Sequence, residues 1–177
     1  RPGVLTVAGL RVGVADLRRH PGQRQIIERD VELDGVEVST AAVPSGSPGH
    51  LDVVLESLSD GVAVSGRLSV PWEGPCRRCL EQTSGVEVVE LREVFSDSPV
   101  DDDLLSIDGD VIDLGPVVRD AAVLALPVAP LCGEDCLGPD PDHFPVGTGD
   151  GAERAVDPRW SALDELRFDP GVPDPLE

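Results

Sequence analysis

Alternating apolar and polar residues fill the first half of the chain and predict an antiparallel sheet. Residues 31–38 alternate around Asp34-Gly35, a dipeptide typical of hairpin turns, which predicts two short strands. A second and longer hairpin is predicted from the alternation within residues 51–55 and 62–70. The Pro-, Gly- and Ser-rich stretch between these hairpins is predicted to be a loop.

One more strand and a charged loop are predicted after the hairpins. The strand covers residues 86–95, with a bulge where the alternation slips between Val88 and Val89. Residues 96–110 contain few apolar side chains and many aspartates, which predicts a solvated, mobile loop.

The apolar period changes from two to about 3.6 residues after Asp113, which predicts an amphipathic helix. Asp113 is suited to cap its N-terminus, and Pro127 follows its end. The apolar face consists of Leu114, Val117, Val118, Ala121, Ala122 and Ala125. Near the start of the chain, residues 12–22 are predicted to contain a short helical turn that ends at Pro21-Gly22.

Together these elements predict an α+β fold. Its centre is an antiparallel, valine-rich, partly rolled sheet of about five or six strands with one main helix packed against it. Residues 1–137 are predicted to form this single domain. The remainder, residues 138–177, is predicted to be a Pro-, Gly- and Asp-rich extension in which residues 158–168 form a short docking helix.

The charge balance argues against a broad nucleic-acid-binding face. The chain has 34 acidic and 14 basic residues, a net charge of −20, and every base is arginine. Such a surface repels phosphates and attracts basic proteins. RNA contact is therefore expected only at two arginine clusters, Arg18, Arg19 and Arg24 in one and Arg77 and Arg78 in the other.

The aspartate run Asp101, Asp102 and Asp103 is a second candidate contact region. Like charges that lack counter-ions keep a loop extended until cations arrive, so this run is suited to recruit a basic partner. The alternative is a charged linker without a binding role.

Four cysteines in two close pairs point to a metal site. The pairs are Cys76-x2-Cys79 and Cys132-x3-Cys136. Residues 71–75 are predicted to end a strand just before the first pair, and prolines end the helix before the second. Zinc takes four thiolates in a tetrahedron, and each short turn supplies two of them. The sequence therefore predicts a structural zinc clasp, with free thiols or a Cys-Arg-Arg-Cys redox dithiol as the alternatives.

No catalytic constellation competes with the predicted metal site. His20, His50 and His143 lie in predicted loops, no glycine-rich phosphate loop follows a strand, and no nucleophile elbow occurs. No stretch approaches the ~20 apolar residues of a membrane span, and the start carries no secretory apolar region. We therefore expect a cytoplasmic protein, although the chain begins at Arg1 rather than at methionine.

The order of several motifs resembles the YceD family over residues 12–168. The motifs are Pro75-Cys76-Arg77-Arg78-Cys79-Leu80, Ile112-Asp113-Leu114, Leu124-Ala125-Leu126-Pro127-Val128-Ala129-Pro130-Leu131-Cys132 and Asp157-Pro158-Arg159-Trp160-Ser161-Ala162-Leu163. The resemblance implies a non-enzymatic role in the synthesis, processing or stability of large-subunit (23S) ribosomal RNA. Members are often encoded beside a small basic zinc-ribbon ribosomal protein, so the implied partner is a basic ribosomal protein or a large-subunit assembly intermediate. An acidic interaction module unrelated to ribosomes and a dithiol redox protein remain alternatives.

One departure from the family pattern follows the second cysteine pair. Many members continue there with Gly-Leu-Cys-Pro-x-Cys-Gly, whereas residues 138–144 of this chain contain no cysteine. Asp140 and His143 stand where the additional thiols would be. Carboxylate oxygen and imidazole can also bind zinc, so these residues are candidates for an additional metal site, with a solvated acidic loop as the alternative.

Overall fold

Eight strands and two helices form the part of the chain that the computed structural model describes, residues 5–6, 9–97 and 105–143. In order they are β1 (Leu5–Thr6), β2 (Arg11–Gly13), α1 (Ala15–Arg18), β3 (Arg24–Glu32), β4 (Gly49–Ser57), β5 (Gly61–Pro75), β6 (Gln82–Ser96), β7 (Leu105–Ser106), β8 (Val111–Asp113) and α2 (Gly115–Ala125). Six strands make one sheet in the order β1-β3-β4-β5-β6-β7, and β2 pairs with β8. The predicted α+β fold is confirmed, and its short β1 and β7 strands run parallel to their neighbours.

The pairing of β5 with β6 is the longest in the sheet. Both strands have 15 residues, and their register runs without interruption from Gly61 opposite Ser96 to Pro75 opposite Gln82. The bulge predicted between Val88 and Val89 is therefore wrong. Val88 is exposed on the outer face, so the slip in the pattern reflects an apolar residue facing solvent rather than an inserted one.

β5 continues through Pro71 and Pro75, where the sequence pattern predicts the end of a strand. Glu73 exchanges backbone hydrogen bonds with Ala42, so odd-numbered residues of β5 direct their backbone groups away from β6. β4 pairs with β5 only as far as Ser69, so no described strand pairs with Pro71 on that side. A proline is tolerated at such a position because its missing N–H leaves no ladder bond unmade. The hairpin consequently carries its tip as far as Pro75.

The hairpin predicted around Asp34-Gly35 is wrong as a pair of strands, although the turn itself is present. Val31 lies opposite Gly49 in the long β3–β4 pairing, so it does not pair with the residues that follow the turn. Gly35 has φ 72°, and the Val36 N–H donates to the Leu33 carbonyl at 3.2 Å. The Asp34-Gly35 signal concerns only a local turn, whereas pairing of β3 with the longer apolar strand β4 buries more surface. The pairing with β4 therefore determines the register of β3.

The inner face of the sheet and α2 enclose the hydrophobic core. Alternate residues of β4 and β5 are buried, and α2 packs against β5 and β6. The predicted helix face is confirmed, since Leu114, Val118 and Ala122 are buried. The Asp113 carboxylate accepts a hydrogen bond from the Gly115 N–H at 2.9 Å and so satisfies an orphan donor of the first turn.

The acidic stretch after β6 is more ordered than predicted at both of its ends. Asp97 and Asp110 both form ion pairs with Arg18 of α1. Ile107 is buried in the core, and β7 and β8 occupy parts of residues 105–113. Residues 105–110 therefore contain a short strand and a turn rather than one continuous loop. Asp101, Asp102 and Asp103 lie outside the described residues.

The predicted helix at residues 158–168 also lies outside the described residues. The boundary expected after residue 137 stays a prediction. Among the described helices, the longer has 11 residues, which is too short to cross a membrane.

Gly66 of β5 provides a test of the close packing between β4 and β5. A Cβ at this position would lie 2.1 Å from the Asp52 carbonyl oxygen and 2.6 Å from Val53 Cα. We expect Gly66→Ala to lower the free energy of unfolding by about 1–3 kcal/mol, because backbone must move apart. Gly13→Ala, with no atom within 4 Å of its Cβ, is the control and should change it by less than about 0.5 kcal/mol in urea titrations. Equal effects would contradict this close approach.

Candidate metal centre

The first cysteine pair lies in the turn between β5 and β6. Backbone hydrogen bonds shape this turn: the Cys76 N–H donates to the Glu81 carbonyl at 2.8 Å, and the Leu80 N–H donates to the Cys76 carbonyl at 2.9 Å. Leu80 completes the turn in the left-handed region, with φ 64°, and its side chain is exposed. Both thiols are thereby placed on a short, hydrogen-bonded segment at the tip of the long hairpin.

The second pair follows the end of α2. Two contacts fasten this exit segment to the rest of the fold: the Arg77 N–H donates to the Pro130 carbonyl at 2.9 Å, and the Thr40 hydroxyl donates to the Pro127 carbonyl at 2.9 Å. The Cys136 N–H donates to the Gly133 carbonyl at 3.3 Å and closes a turn around the pair. The tip and the helix exit are therefore joined independently of the sulfur atoms.

The four sulfur atoms form one cluster. All lie within 4.8 Å of one another, with Cys76 Sγ 3.8 Å from Cys136 Sγ and Cys79 Sγ 3.7 Å from Cys132 Sγ. Four thiolates at about 2.3 Å from a tetrahedral zinc ion would be about 3.8 Å apart. All four cysteines are free thiols in the structure. The cluster therefore fits a tetrahedral metal ion.

The electrostatics of the cluster are asymmetric. Backbone N–H groups, those of Cys79 first and Cys132 next, lower the pKa of the Cys76 thiol from 9.0 to about 6. The sulfur of Cys136, followed by that of Cys79, raises the pKa of the Cys132 thiol from 9.0 to about 12. The Cys76 thiolate therefore forms more readily, whereas hydrogen bonds to the neighbouring sulfurs hold the proton on Cys132. A cation at the centre would favour loss of that proton, since it would pair with all four thiolate charges.

Arg78 links the two cysteine turns. Its Nη1 donates to the Glu134 carbonyl at 2.8 Å and to the Cys136 carbonyl at 3.2 Å, while its backbone N–H donates to Cys76 Sγ at 3.4 Å. Sequence reasoning assigned Arg78 to RNA or partner contact and missed this positioning role. The position of Arg78 between Cys76 and Cys79 was the sequence feature that could have indicated this role, because a guanidinium there can donate hydrogen bonds to carbonyls of the opposite turn.

The other arginines proposed as contact residues lie in different surroundings. Arg77 has an exposed side chain beside the cluster. Arg18 is engaged by Asp97 and Asp110, and Arg19 pairs with Asp16 at 2.9 Å. Arg77 thus remains more accessible to an external phosphate than Arg18.

Asp140 and His143 do not belong to the four-sulfur cluster. Their side chains contact each other, with His143 Nδ1 3.0 Å from both carboxylate oxygens of Asp140. The His143 backbone N–H also donates to Asp140 Oδ1 at 3.3 Å. Among the described residues, the group that could hold a metal consists of the four cysteines alone. A role for Asp140 and His143 in a further site stays a prediction.

The fold and the cluster together define a class of small α+β protein. A long hairpin and a helix exit are joined at a four-cysteine centre that could hold a metal ion. A family model described as large ribosomal RNA subunit accumulation protein YceD matches residues 64–167, which contain all four cysteines. The chain belongs to this family.

Relatives extend the similarity beyond the part matched by the family model. The uncharacterized protein Rv2926c of Mycobacterium tuberculosis is 33% identical over 167 residues, 89% of this chain and 81% of its own. The uncharacterized protein ML1660 of Mycobacterium leprae is 30% identical over 93% of this chain and 80% of its own. YlbN of Bacillus subtilis is 26% identical over 86% and 94%. No solved structure matches the chain significantly.

Replacing Arg78 tests whether it positions the second cysteine turn. We expect Arg78→Ala to destabilise the protein by about 1 kcal/mol, because two carbonyls lose a charged donor and regain only water. Amide hydrogen exchange at Cys136 should accelerate at the same time. Arg77→Ala is the matched control, since it removes a neighbouring arginine whose side chain is exposed. If both variants behave alike in urea unfolding and exchange, Arg78 has no positioning role.

Proposed function

We propose that the four cysteines bind one structural zinc ion. The separations of 3.7 and 3.8 Å between sulfurs of opposite turns support this, because they match a tetrahedral tetrathiolate. Such a centre has no open ligand position and therefore supplies folding free energy rather than catalysis. Cys76, Cys79, Cys132 and Cys136 are its ligands, and the zinc joins the tip of the β5–β6 hairpin to the exit of α2.

The protein is proposed to act as a non-enzymatic accessory factor in the biogenesis of the large ribosomal subunit. The membership in a family described as large ribosomal RNA subunit accumulation protein carries this proposal. In this role it supports the synthesis, processing or stability of 23S ribosomal RNA, and it acts in the cytoplasm, where subunits assemble.

A basic protein component of the assembling subunit is the proposed partner. The net charge of −20 opposes a broad phosphate contact, and Arg18 and Arg78 already serve internal contacts. RNA contact is accordingly local and centred on Arg77. The run Asp101, Asp102 and Asp103 adds long-range attraction for a basic partner, which speeds association more than it strengthens binding.

Zinc content provides the test of the metal proposal. Protein purified under reducing conditions should contain about one zinc ion per chain, because the four thiolates form a single tetrahedral site. A tight chelator should loosen both cysteine turns, since structural zinc contributes on the order of 10 kcal/mol to folding in small modules. Elemental analysis measures the zinc content, and thiol titration detects the loosened turns as an increase in thiol reactivity.

Two variants sharpen the zinc experiment. Cys76→Ser should reduce zinc retention strongly, whereas the double variant Asp140→Asn with His143→Gln should retain the full amount. A metal-free protein with four reactive thiols, or a Cys76–Cys79 disulfide in cytosol-like reductant, would refute structural zinc and favour a redox dithiol.

Affinity capture from growing cells tests the ribosomal role. The tagged full-length protein should recover large-subunit RNA and proteins several-fold over those of the small subunit at moderate salt. A Cys76→Ser variant should lose this enrichment because the hairpin tip is no longer clasped, while the Asp140→Asn, His143→Gln variant keeps it. Equal recovery of both subunits, or of neither, would contradict the proposal.

A further inference from the structure

Within the part of the chain that the structure describes, the outer edge of β6 has no strand partner along most of its length. β7 covers it only at Phe95 and Ser96, and no other described strand follows. The Ile107 N–H donates to the Ser96 carbonyl from that edge. Because backbone groups alternate sides along a strand, even-numbered residues of β6 from Gln82 to Val94 direct their N–H and C=O groups outward. Among the described residues none of these groups has a backbone partner.

The side chains around this edge combine exposed valines with the charged residues Glu87, Glu90, Arg92 and Glu93. Val86 and Val88 are 62% and 59% exposed on the outer face. Edge strands are usually blunted by lysine, proline, bulges or short length, yet this one is long, regular and rich in β-branched residues. The composition favours the addition of another strand.

A groove lies beside the same edge on the inner face of the sheet. It runs between β6 and α2, with an apolar floor that includes Val89 and Leu91 and the 84% exposed Leu124 on its rim. Acidic side chains also line it: Glu90, Glu93 and Asp120. A strand added to β6 would place alternate side chains over the exposed valines and over this groove.

We propose that the β6 edge, residues 82–94, binds an extended basic segment of a protein partner by β-strand addition. Main-chain hydrogen bonds to the even-numbered residues supply affinity, and the apolar floor with its acidic rim selects alternating apolar and Lys or Arg side chains. The inference depends on the proposed function in one respect only, namely that the partner is a ribosomal protein.

Charge decides between this occupant and two others. A second copy paired edge to edge would bring Glu87 and Glu93 of the two chains together, and like charges in opposed positions are destabilising. Glu90 contributes less to this repulsion, because it forms an ion pair with Arg92 at 2.9 Å. The segment of this chain that contains Asp101, Asp102 and Asp103 would meet the same repulsion. A Lys- or Arg-bearing segment instead neutralises the rim.

The direct test is amide exchange with a defined probe. A synthetic peptide of about twelve residues that alternates valine and lysine spans this edge, and an alternating valine and glutamate peptide is its control. In the zinc-loaded full-length protein, the amides of Val86, Val88 and Glu90 should exchange rapidly and become protected when the basic peptide binds. Odd-numbered neighbours bonded to β5 should be protected already. The glutamate peptide should leave the pattern unchanged.

Edge-specific variants then test where the peptide lies. Val88→Pro removes an outward N–H that β5 does not use, and it should weaken peptide binding about tenfold or more. Ile26→Pro is the matched control, because Ile26 is an exposed residue of β3 at the other side of the sheet, where β1 is the only described strand beyond it and pairs only with Val31 and Glu32, and binding should stay within about twofold. A peptide N-methylated on alternate residues should fail to bind the unaltered protein, which keeps the test valid if Val88→Pro folds poorly.

Several results would overturn the inference. They are protection on β3 instead of β6, protection of Val88 in the free monomer, equal binding of the glutamate peptide, or a light-scattering mass showing that the edge is occupied by a second copy. Protection by a single-stranded RNA of similar length in place of the peptide would also overturn it. The peptide assay is independent of ribosome capture, so its failure would leave the subunit role and the zinc centre standing.

Discussion

The continuous pairing of β5 with β6 is the interaction on which the rest of the structure depends. Its register, unbroken over 15 residues in each strand, fixes which side chains face the core and which face solvent. The same register determines where the hairpin turns, so it also places Cys76 and Cys79. At the far end it brings Ser96 beside β7 and the acidic residues that engage Arg18. A shift of one residue would exchange the two faces and dismantle the core and the clasp together.

The four-cysteine centre depends on contacts that do not involve sulfur. Arg78, Arg77 and Thr40 bind carbonyls of the segment after α2 and bring it against the hairpin tip. The thiols therefore approach one another because the surrounding backbone holds them there. This arrangement reduces the ordering that a metal ion would otherwise have to impose, which strengthens its binding. The remaining cost would be the removal of the Cys132 proton, because hydrogen bonds to the neighbouring sulfurs raise the pKa of this thiol, and a bound cation would offset that cost.

Much of the architecture was predictable from the sequence, because amphipathic periods report burial directly. The face of α2, the long strands at Leu51 and Val62 and the joining of both cysteine pairs followed from period and spacing. The failures have physical causes. The Asp34-Gly35 turn was local, whereas strand pairing was decided by the distant partner at Gly49. The valines of β6 resembled a bulge because Val86 and Val88 are exposed on the outer face of the sheet. The role of Arg78 could not be predicted without knowing which carbonyls lie near its side chain.

The separation of the two cysteine pairs also sets an order of events during protein synthesis. Cys132 lies 53 positions after Cys79, so translation at about 5–20 residues per second delivers the second pair about 3–10 s after the first. All residues of β3 to β6 have been synthesised by then. Until that moment the hairpin tip offers a metal ion only two sulfurs and water. The four-sulfur cluster therefore cannot assemble before every residue of β3 to β6 has been synthesised, so the helix exit joins the hairpin tip late in synthesis.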